Sequence, residues 1–246
     1  MSTLQNSPRL FKSMTALAAA AGCLMASQAN AGEWSANAAM TNNYIWRGLT
    51  QTENEAAVQG GIDYASDSGF YAGTWVSNVN YGAGDVYSYE HDIYAGFAFD
   101  TGDISWDFGY LYYNYDKEAE FDFGEVYGSV AYGGFSVGLW VLTNTEADEG
   151  PGQDFGAGEA YYASIDYGFE IGNGVEIGLH AGYHDGDFAE AFNGNDDGYY
   201  DYNVSVSKGG FSFMITDTDV SGGAAEGGFD NDQMKVVVSY AVDVEL

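Results

Sequence analysis

The sequence predicts an all-β protein, a transmembrane antiparallel up-and-down β-barrel of about 12 strands that follows an N-terminal signal peptide. Three observations lead to this prediction. They are the composition, the alternation of apolar and polar residues, and the regular alternation of short and long connections.

The composition favours strands and turns over helices. The 246 residues include 35 Gly and 21 Tyr but only 2 Pro and 1 Cys. Tyr is frequent in strands and Gly in tight turns, whereas both are weak helix formers. With 37 Asp and Glu against 6 Lys and Arg, the formal net charge is −31. This charge excludes a nucleic-acid-binding protein, whose phosphate contacts need a basic surface. The single Cys excludes a disulfide framework.

The first 31 residues have the pattern of a secretory signal peptide. Two basic residues precede an apolar stretch of small residues, and Ala-Asn-Ala at 29–31 fits the rule for signal-peptide cleavage. Cleavage there would leave residues 32–246 as one barrel domain, exported through the Sec pathway. The alternative is lipoprotein processing at Cys23. No later stretch approaches the ~18 apolar residues that a transmembrane helix needs.

Twelve segments alternate between apolar and polar residues with the period of two that is typical of strands. In the last segment Val236, Val238 and Tyr240 share one face, and Ser239 and Ala241 lie on the other. The predicted segments are near residues 33–45, 55–65, 69–80, 88–100, 104–115, 122–132, 135–145, 159–171, 175–184, 199–208, 211–220 and 233–246.

Short and long connections follow one another in turn. Those after even-numbered segments are tight and rich in Gly, as hairpin turns with positive φ require. Those after odd-numbered segments are longer and acidic, the longest being 144–158, 185–198 and 221–232. Short turns at one end and long loops at the other are typical of an outer-membrane barrel. A soluble β-sandwich or lipocalin-like barrel is the alternative.

Two tryptophans indicate how the first segment crosses the membrane. Trp34 and Trp46 have the same parity in the first segment. On a strand tilted by ~40° they would lie roughly 30 Å apart in height, the separation of two aromatic girdles. We therefore expect both side chains at the membrane surfaces.

Residues 41–51, Thr-Asn-Asn-Tyr-Ile-Trp-Arg-Gly-Leu-Thr-Gln, resemble the SNYVFRGxSQ opening of the TorF-type porins, which are bacterial outer-membrane proteins of the Gcw_chp type. Residues 59–64, 68–75 and 90–96 continue the resemblance, which is not specific beyond residue 96. Trp46 stands where that family commonly has Phe. The resemblance implies a Gram-negative outer-membrane protein and a diffusion channel, and it implies neither a substrate nor catalytic residues.

If the apolar faces meet lipid, the opposite faces line the interior and carry many carboxylates. A lumen of this sign concentrates cations and excludes anions. The alternative is a general adaptation of the whole protein to salt. The predicted pore-lining residues are Asp63, Glu90, Asp92, Asp107, Glu125, Asp166, Glu170, Glu176, Asp243 and Arg47, with Asp201 and Glu245 on the same faces.

The inward faces also bear on the width of the pore. Their glycines leave room, and twelve strands enclose more space than eight. Five aromatic side chains also point inward and would narrow the pore: Tyr94, Tyr113, Tyr127, Trp140 and Tyr162. We expect an open pore.

The acidic loops contain candidate calcium ligands. Residues 193–198 faintly resemble an EF-hand loop, but they lack its leading Asp, and Val204 stands where its bidentate Glu belongs. Lipopolysaccharide is anionic, so an acidic rim beside it calls for bridging divalent cations. We expect Ca²⁺ or Mg²⁺ at the extracellular loops; the alternative is a solvated acidic loop. The predicted ligands are Asp185, Asp187, Asn193, Asn195 and Asp197.

The sequence gives little indication of a metal site or a catalytic site inside the barrel. His180 and His184 are four residues apart, which on a strand means about 13 Å, too far for one zinc ion with bonds of about 2 Å. They are therefore interpreted as polar groups of the lumen. No nucleophile motif of the Gly-x-Ser-x-Gly kind appears, so the sequence predicts no enzyme.

The sequence as a whole predicts a passive channel with a cation-preferring lumen for small hydrophilic solutes or cations. The expected partners are outer-membrane lipid, lipopolysaccharide and the barrel-assembly machinery, without nucleic acid. The alternative is a non-conducting barrel that serves as a surface adhesin or structural protein, because long Gly- and Asp-rich loops can form binding surfaces.

Overall fold

The chain forms a closed barrel of twelve antiparallel strands in a computed structural model, which describes residues 32–193, 198–220 and 231–246. Each wall strand pairs with its neighbours along the chain, and β1 closes the barrel by pairing with both β4 and β14. This confirms the predicted fold class. The predicted signal peptide, residues 1–31, lies outside the described residues. The wall strands are β1 (Glu33–Thr41), β4 (Ala57–Ala65), β5 (Phe70–Asn78), β6 (Tyr89–Thr101), β7 (Ile104–Tyr115), β8 (Phe123–Tyr132), β9 (Phe135–Thr145), β10 (Tyr161–Gly172), β11 (Val175–Asp185), β12 (Gly198–Lys208), β13 (Phe211–Thr218) and β14 (Lys235–Glu245).

The two ends of the barrel differ as the connection lengths predict. One end is here called the turn end. It carries the start of β1, the end of β14 and the tight turns, such as Asn173-Gly174 with φ of 57° and 69°. Positive φ at both central residues is the geometry of a type I′ hairpin turn, which Asn and Gly adopt most readily. The opposite end, here called the loop end, carries the long acidic connections.

The outer surface of the wall is apolar. Val58, Ile93 and Val204 are 64%, 52% and 50% exposed, and each alternates with a side chain that points into the barrel. A band of this kind is favourable against lipid and unfavourable against water. Among the described helices, none is both long and apolar enough to cross a membrane.

Between β1 and β4 the chain leaves the wall and folds into the barrel. This segment, residues 42–56, is here called the inward hairpin. It contains β2 (Ile45–Trp46) and β3 (Leu49–Thr50), which form a small sheet separate from the barrel. A two-residue turn, Arg47-Gly48 with φ of 47° and 81°, joins them. The tip contacts β8, β11, β12 and β13 together, which only a segment inside the barrel can do.

The inward hairpin corrects the predicted place of Trp46. The first wall strand ends at Thr41 rather than near residue 45, so Trp46 lies inside the barrel and is only 5% exposed. Trp34, in contrast, is 53% exposed on the outer surface, as expected for a girdle residue. Parity counting failed because it assumed that the strand continues through Asn42 and Asn43.

An aromatic cluster packs the loop end of the interior. The connection after β11 contains a short helix, α1 (Asp187–Asn193), whose Phe188 and Phe192 turn inward. The Phe192 ring lies 4.7 Å from Trp46, and the Phe188 ring lies 5.1 Å from Phe123. The sequence predicts an open pore, but the inward hairpin and these rings fill the loop end among the described residues.

Candidate functional site

The inner wall of the barrel carries most of the predicted pore-lining acids. Glu90, Asp92 and Glu125 lie near the loop end and are 1%, 5% and 3% exposed. Four more point inward at middle depth or towards the turn end and are partly buried: Asp63, Asp107, Asp166 and Glu176. Glu170 and Asp243 are exposed at the turn end, where Glu170 accepts a hydrogen bond from the Gly174 amide at 3.1 Å.

The buried acids at the loop end are held by tyrosines and by the inward hairpin. Glu90 accepts hydrogen bonds from the hydroxyls of Tyr44 at 2.7 Å and Tyr115 at 2.9 Å. Tyr44 belongs to the inward hairpin and Tyr115 to β7. Asp92, two residues further along β6, has a buried Oδ1 without a hydrogen-bond partner among the described residues. Asp92 Oδ1 is therefore a buried acceptor that no described side chain satisfies.

Arg47 is the cation at the centre of this region. Its Nη2 lies 2.6 Å from Glu125 Oε2, and both side chains are almost fully buried. Its Nη1 lies 3.2 Å from His184 Nε2. Its Cζ lies 4.2 Å from the Trp46 ring and 4.5 Å from the Tyr162 ring. Ion pairing, hydrogen bonding and two cation–π contacts thus act on one guanidinium.

His180 lies between two carboxylates on the same side of the lumen. Its Nδ1 is 2.6 Å from Asp166 Oδ1, and its Nε2 is 2.9 Å from Asp201 Oδ1. Ionised carboxylates only accept hydrogen bonds, so this arrangement suits an imidazolium that donates from both nitrogens. The Tyr162 hydroxyl also donates to Asp201 at 3.0 Å. This group links the wall near Arg47 to the turn end.

A belt of tyrosines crosses the middle of the lumen. The Tyr71 hydroxyl donates to Asp107 at 2.6 Å and also contacts the Tyr127 hydroxyl. The Tyr94 hydroxyl donates to Asp63, which also accepts from Asn37 at 3.2 Å. The belt supplies hydroxyl donors to two of the inward carboxylates and places its rings inside the lumen.

Comparison with known proteins identifies the family. The model of the Gcw_chp family, described as a bacterial protein of unknown function, matches residues 25–241. The chain belongs to the Gcw_chp family. The narrower TorF-type assignment is not decided by this match. No curated protein sequence is significantly similar to the chain.

Two solved structures share the fold of this Gcw_chp chain. The KdgM porin is 10% identical, with a TM-score of 0.50 over 87% of this chain and 99% of that chain. A protein solved in work on the in-meso crystallization of membrane proteins is 8% identical, with a TM-score of 0.54 over 87% of this chain and 84% of that chain. At these identities the similarity concerns the fold alone, a closed antiparallel β-barrel like that of the KdgM porin.

The predicted calcium ligands of this Gcw_chp protein are only partly described. Asn195 and Asp197 lie outside the described residues. Asp187 accepts a hydrogen bond from the Asp154 amide at 2.6 Å, Asp185 accepts one from Tyr183 at 3.3 Å, and Asn193 donates to the Ala189 carbonyl at 3.0 Å. Among the described residues, no three His, Cys, Asp or Glu side chains are grouped as a metal site requires. Ca²⁺ or Mg²⁺ binding stays a prediction.

Sequence reasoning missed the residues that fill the loop end. Tyr44 and Trp46 were assigned to a wall strand, and Phe188 and Phe192 to a solvated loop. Two signals point to the observed structure. Arg47-Gly48 between two short segments that can pair as strands is the pattern of a two-residue hairpin, and phenylalanines four residues apart share one face of a helix.

Proposed function

We propose that this Gcw_chp protein is an outer-membrane channel for small hydrophilic solutes, with a preference for cations. The supporting observation is the charge of the inner wall. Carboxylates point inward from most strands of the barrel, whereas Arg47, Lys235 and the imidazolium of His180 are the cationic side chains that the described residues place inside it. In a low-dielectric enclosure such an imbalance attracts cations and repels anions.

The filled loop end makes this a constricted channel rather than an open one. The inward hairpin belongs to a sheet separate from the wall, and side chains such as Tyr44 and Arg47 hold it in place. Backbone hydrogen bonds also anchor its base, such as the one from the Asn80 amide to the Gln51 carbonyl at 2.9 Å. Its tip, however, can shift without breaking any pairing of the wall strands. We expect low conductance with the hairpin seated and higher conductance when it moves.

The cellular setting is part of the same proposal. The Sec pathway exports the protein, residues 1–31 are then removed, and the barrel-assembly machinery inserts the rest into the outer membrane. Its lipid-facing band then meets lipopolysaccharide in the outer leaflet, with the loop end outside and the turn end in the periplasm. Membership of the TorF-type porins belongs to this proposal as well.

The packing of the loop end favours a second candidate function. Aromatic rings from the inward hairpin, β8 and α1 contact one another across the interior, as in a protein core. A barrel closed in this way would serve as a surface adhesin or a structural protein. Neither candidate assigns a catalytic role to any residue.

Single-channel current in a planar bilayer under a KCl gradient tests the proposal. We expect discrete steps with a reversal potential that favours K⁺. Replacing residues 45–50 by two glycines removes the tip of the inward hairpin and should raise the conductance several-fold. No steps from either protein, once shown to be inserted, would favour the adhesin or structural role.

A matched pair of variants tests the origin of the selectivity. Asp107 points into the lumen, whereas Asp103 is exposed in the turn before it. Asp107→Asn should shift the reversal potential towards that of a non-selective pore, and Asp103→Asn should leave it nearly unchanged. Equal shifts in both variants would show that the charge of the whole protein, not the lumen wall, sets the preference.

A further inference from the structure

The site around the Arg47 guanidinium is built by the barrel wall. Glu125 on β8 supplies the carboxylate, and the Tyr113 hydroxyl on β7 donates to the same Oε2 at 3.2 Å. His184 on β11 faces Nη1, and the Tyr162 ring on β10 lies against Cζ. Four strands on one side of the wall, β7, β8, β10 and β11, therefore surround one cation, and these wall residues would remain if the Arg47 side chain were absent.

The histidine of this site has a fixed role. A guanidinium can only donate hydrogen bonds, so His184 Nε2 must accept from Arg47. The ring proton then lies on Nδ1, which faces the Tyr199 hydroxyl at 3.4 Å. A neutral imidazole with its lone pair directed into the site is suited to a donor-rich organic cation.

The inward hairpin reaches this site with little freedom. Arg47 has a φ of 47°, in the left-handed region that non-glycine residues rarely adopt. A Cβ on Gly48 would lie 2.5 Å from Thr218 Cγ2 and 2.6 Å from Asp201 Cβ. The turn is therefore pressed against the wall, and it directs the guanidinium towards Glu125.

We propose that this site binds the guanidinium group of a permeating solute, and that Arg47 occupies it as a tethered ligand when no solute is present. The proposal rests on the proposed channel function. Entry of the solute cation displaces Arg47, which loosens the tip of the inward hairpin from the wall. The Arg47 guanidinium thus blocks the channel and has the same chemical structure as the group of the solute that the channel admits.

The lining of the site favours a planar organic cation over a metal ion. One carboxylate, one imidazole and two aromatic faces match the edge and the faces of a guanidinium. A divalent ion would need several oxygen ligands in a closed shell, and the described residues around Arg47 offer no such group.

Guanidinium chloride tests this on the Arg47→Ala variant. The hydrogen bond between Tyr44 and Glu90 and the other hydrogen bonds of the hairpin remain in this variant. The site should therefore keep its shape, and free guanidinium should bind in the space that the Arg47 side chain has left. We expect several-fold higher conductance than in the unaltered protein, and a return towards the original value with millimolar guanidinium. The same concentration of added KCl should not lower the conductance of the variant in this way. On the unaltered protein guanidinium must first displace the tethered Arg47, so its effect there should need a much higher concentration.

Two further variants serve as controls. Arg47→Ala/Glu125→Gln lacks the carboxylate and should lose the guanidinium effect. Arg47→Lys keeps a charge but not the planar fork, and it should conduct more than the unaltered protein. Heat-dependent electrophoretic mobility establishes that each variant is a folded barrel before measurement.

Tryptophan fluorescence provides a second reading that does not need conductance. Trp46 lies against the site, so guanidinium should change the emission of Arg47→Ala in detergent, and much less that of Arg47→Ala/Trp46→Phe. A fluorescence change without current steps would support the site and contradict the channel. Current steps in Arg47→Ala without either guanidinium effect would overturn the site and leave the channel standing.

Discussion

Inward glycines make room for the tyrosines of the lumen. The Tyr71 ring lies over Gly96 on the neighbouring strand, where an added Cβ would be 2.3 Å from its hydroxyl oxygen and 2.6 Å from the Phe108 carbonyl. Tyr94 lies over Gly73 and Tyr127 over Gly109 in the same way. The abundance of Gly and Tyr in the composition therefore has a structural cause, because each ring that crosses the lumen needs a glycine beneath it.

Gly96→Ala should destabilise the barrel without changing its fold. The new methyl group would push the Tyr71 ring off the wall and weaken its hydrogen bond to Asp107. Overpacking of this kind costs about 1–3 kcal/mol, which should appear as a lower urea midpoint of unfolding.

A double-mutant cycle with Tyr71→Ala provides the control for this prediction. The combined loss should be smaller than the sum of the two single losses, because the steric conflict is gone. Additive losses would show that the methyl group introduced at position 96 acts on the backbone of β7 rather than on Tyr71.

At the scale of elements, one loop carboxylate joins two long wall strands at the loop end. Asp116 follows β7 and accepts hydrogen bonds from the amides of Ser88 at 2.6 Å and Tyr89 at 3.1 Å, where β6 begins. Its Oδ1 also accepts from the Ser88 hydroxyl at 2.8 Å. Slight burial raises the pKa of Asp116, but these hydrogen bonds outweigh it and hold the pKa below its usual value. The ionised carboxylate of Asp116 thus links the end of β7 to the start of β6.

Asp116→Ala should open this junction locally. Hydrogen exchange of the Ser88 and Tyr89 amides should become several-fold faster, because these amides lose their acceptor. Asp148→Asn, an exposed carboxylate of another long loop, is the control and should leave their exchange unchanged. Unchanged exchange in Asp116→Ala would mean that the amides are protected by other groups.

The same contact has a defined pH dependence. Since the pKa of Asp116 is lowered on folding, its stabilising effect is complete above the unfolded value near 4 and is lost as the pH falls through the lowered value. Protection of the two amides, corrected for intrinsic exchange rates, should decline only in that acidic range.

Elements of the wall could be predicted from the alternation of apolar and polar residues, whereas elements inside it could not. A wall strand contacts lipid on its outer face and the lumen on its inner face. Its apolar and polar residues therefore alternate with a period of two, which identifies the strand clearly. The inward hairpin is buried on all sides, and Tyr44, Trp46 and Leu49 show no alternation that separates them from a continuing strand. The direction of the Asp63, Asp92 and Asp107 side chains followed from parity, but their partners depend on tertiary contacts.

At the scale of the whole molecule, negative charge works against compactness. The chain has a formal net charge of −31, and the described interior has few cations to offset its carboxylates. Ion pairs such as Arg47–Glu125 act locally, while the remaining charges repel across the barrel and its acidic loops. Self-repulsion of this kind destabilises a folded state and weakens with ionic strength.

Added salt should therefore stabilise the refolded barrel. Raising NaCl from 0.1 to 1 M shortens the Debye length from about 10 Å to about 3 Å, and the thermal midpoint should rise by several degrees or more. Sucrose, which stabilises proteins without screening charge, is the control for general exclusion of a cosolute. CaCl₂ at matched ionic strength should raise the midpoint further if the outer loops bind calcium, and only as far as NaCl if they do not. A thermal midpoint that is insensitive to NaCl would mean that the inward carboxylates are neutralised within the fold. The lumen would then lack the negative charge on which the proposed cation preference depends.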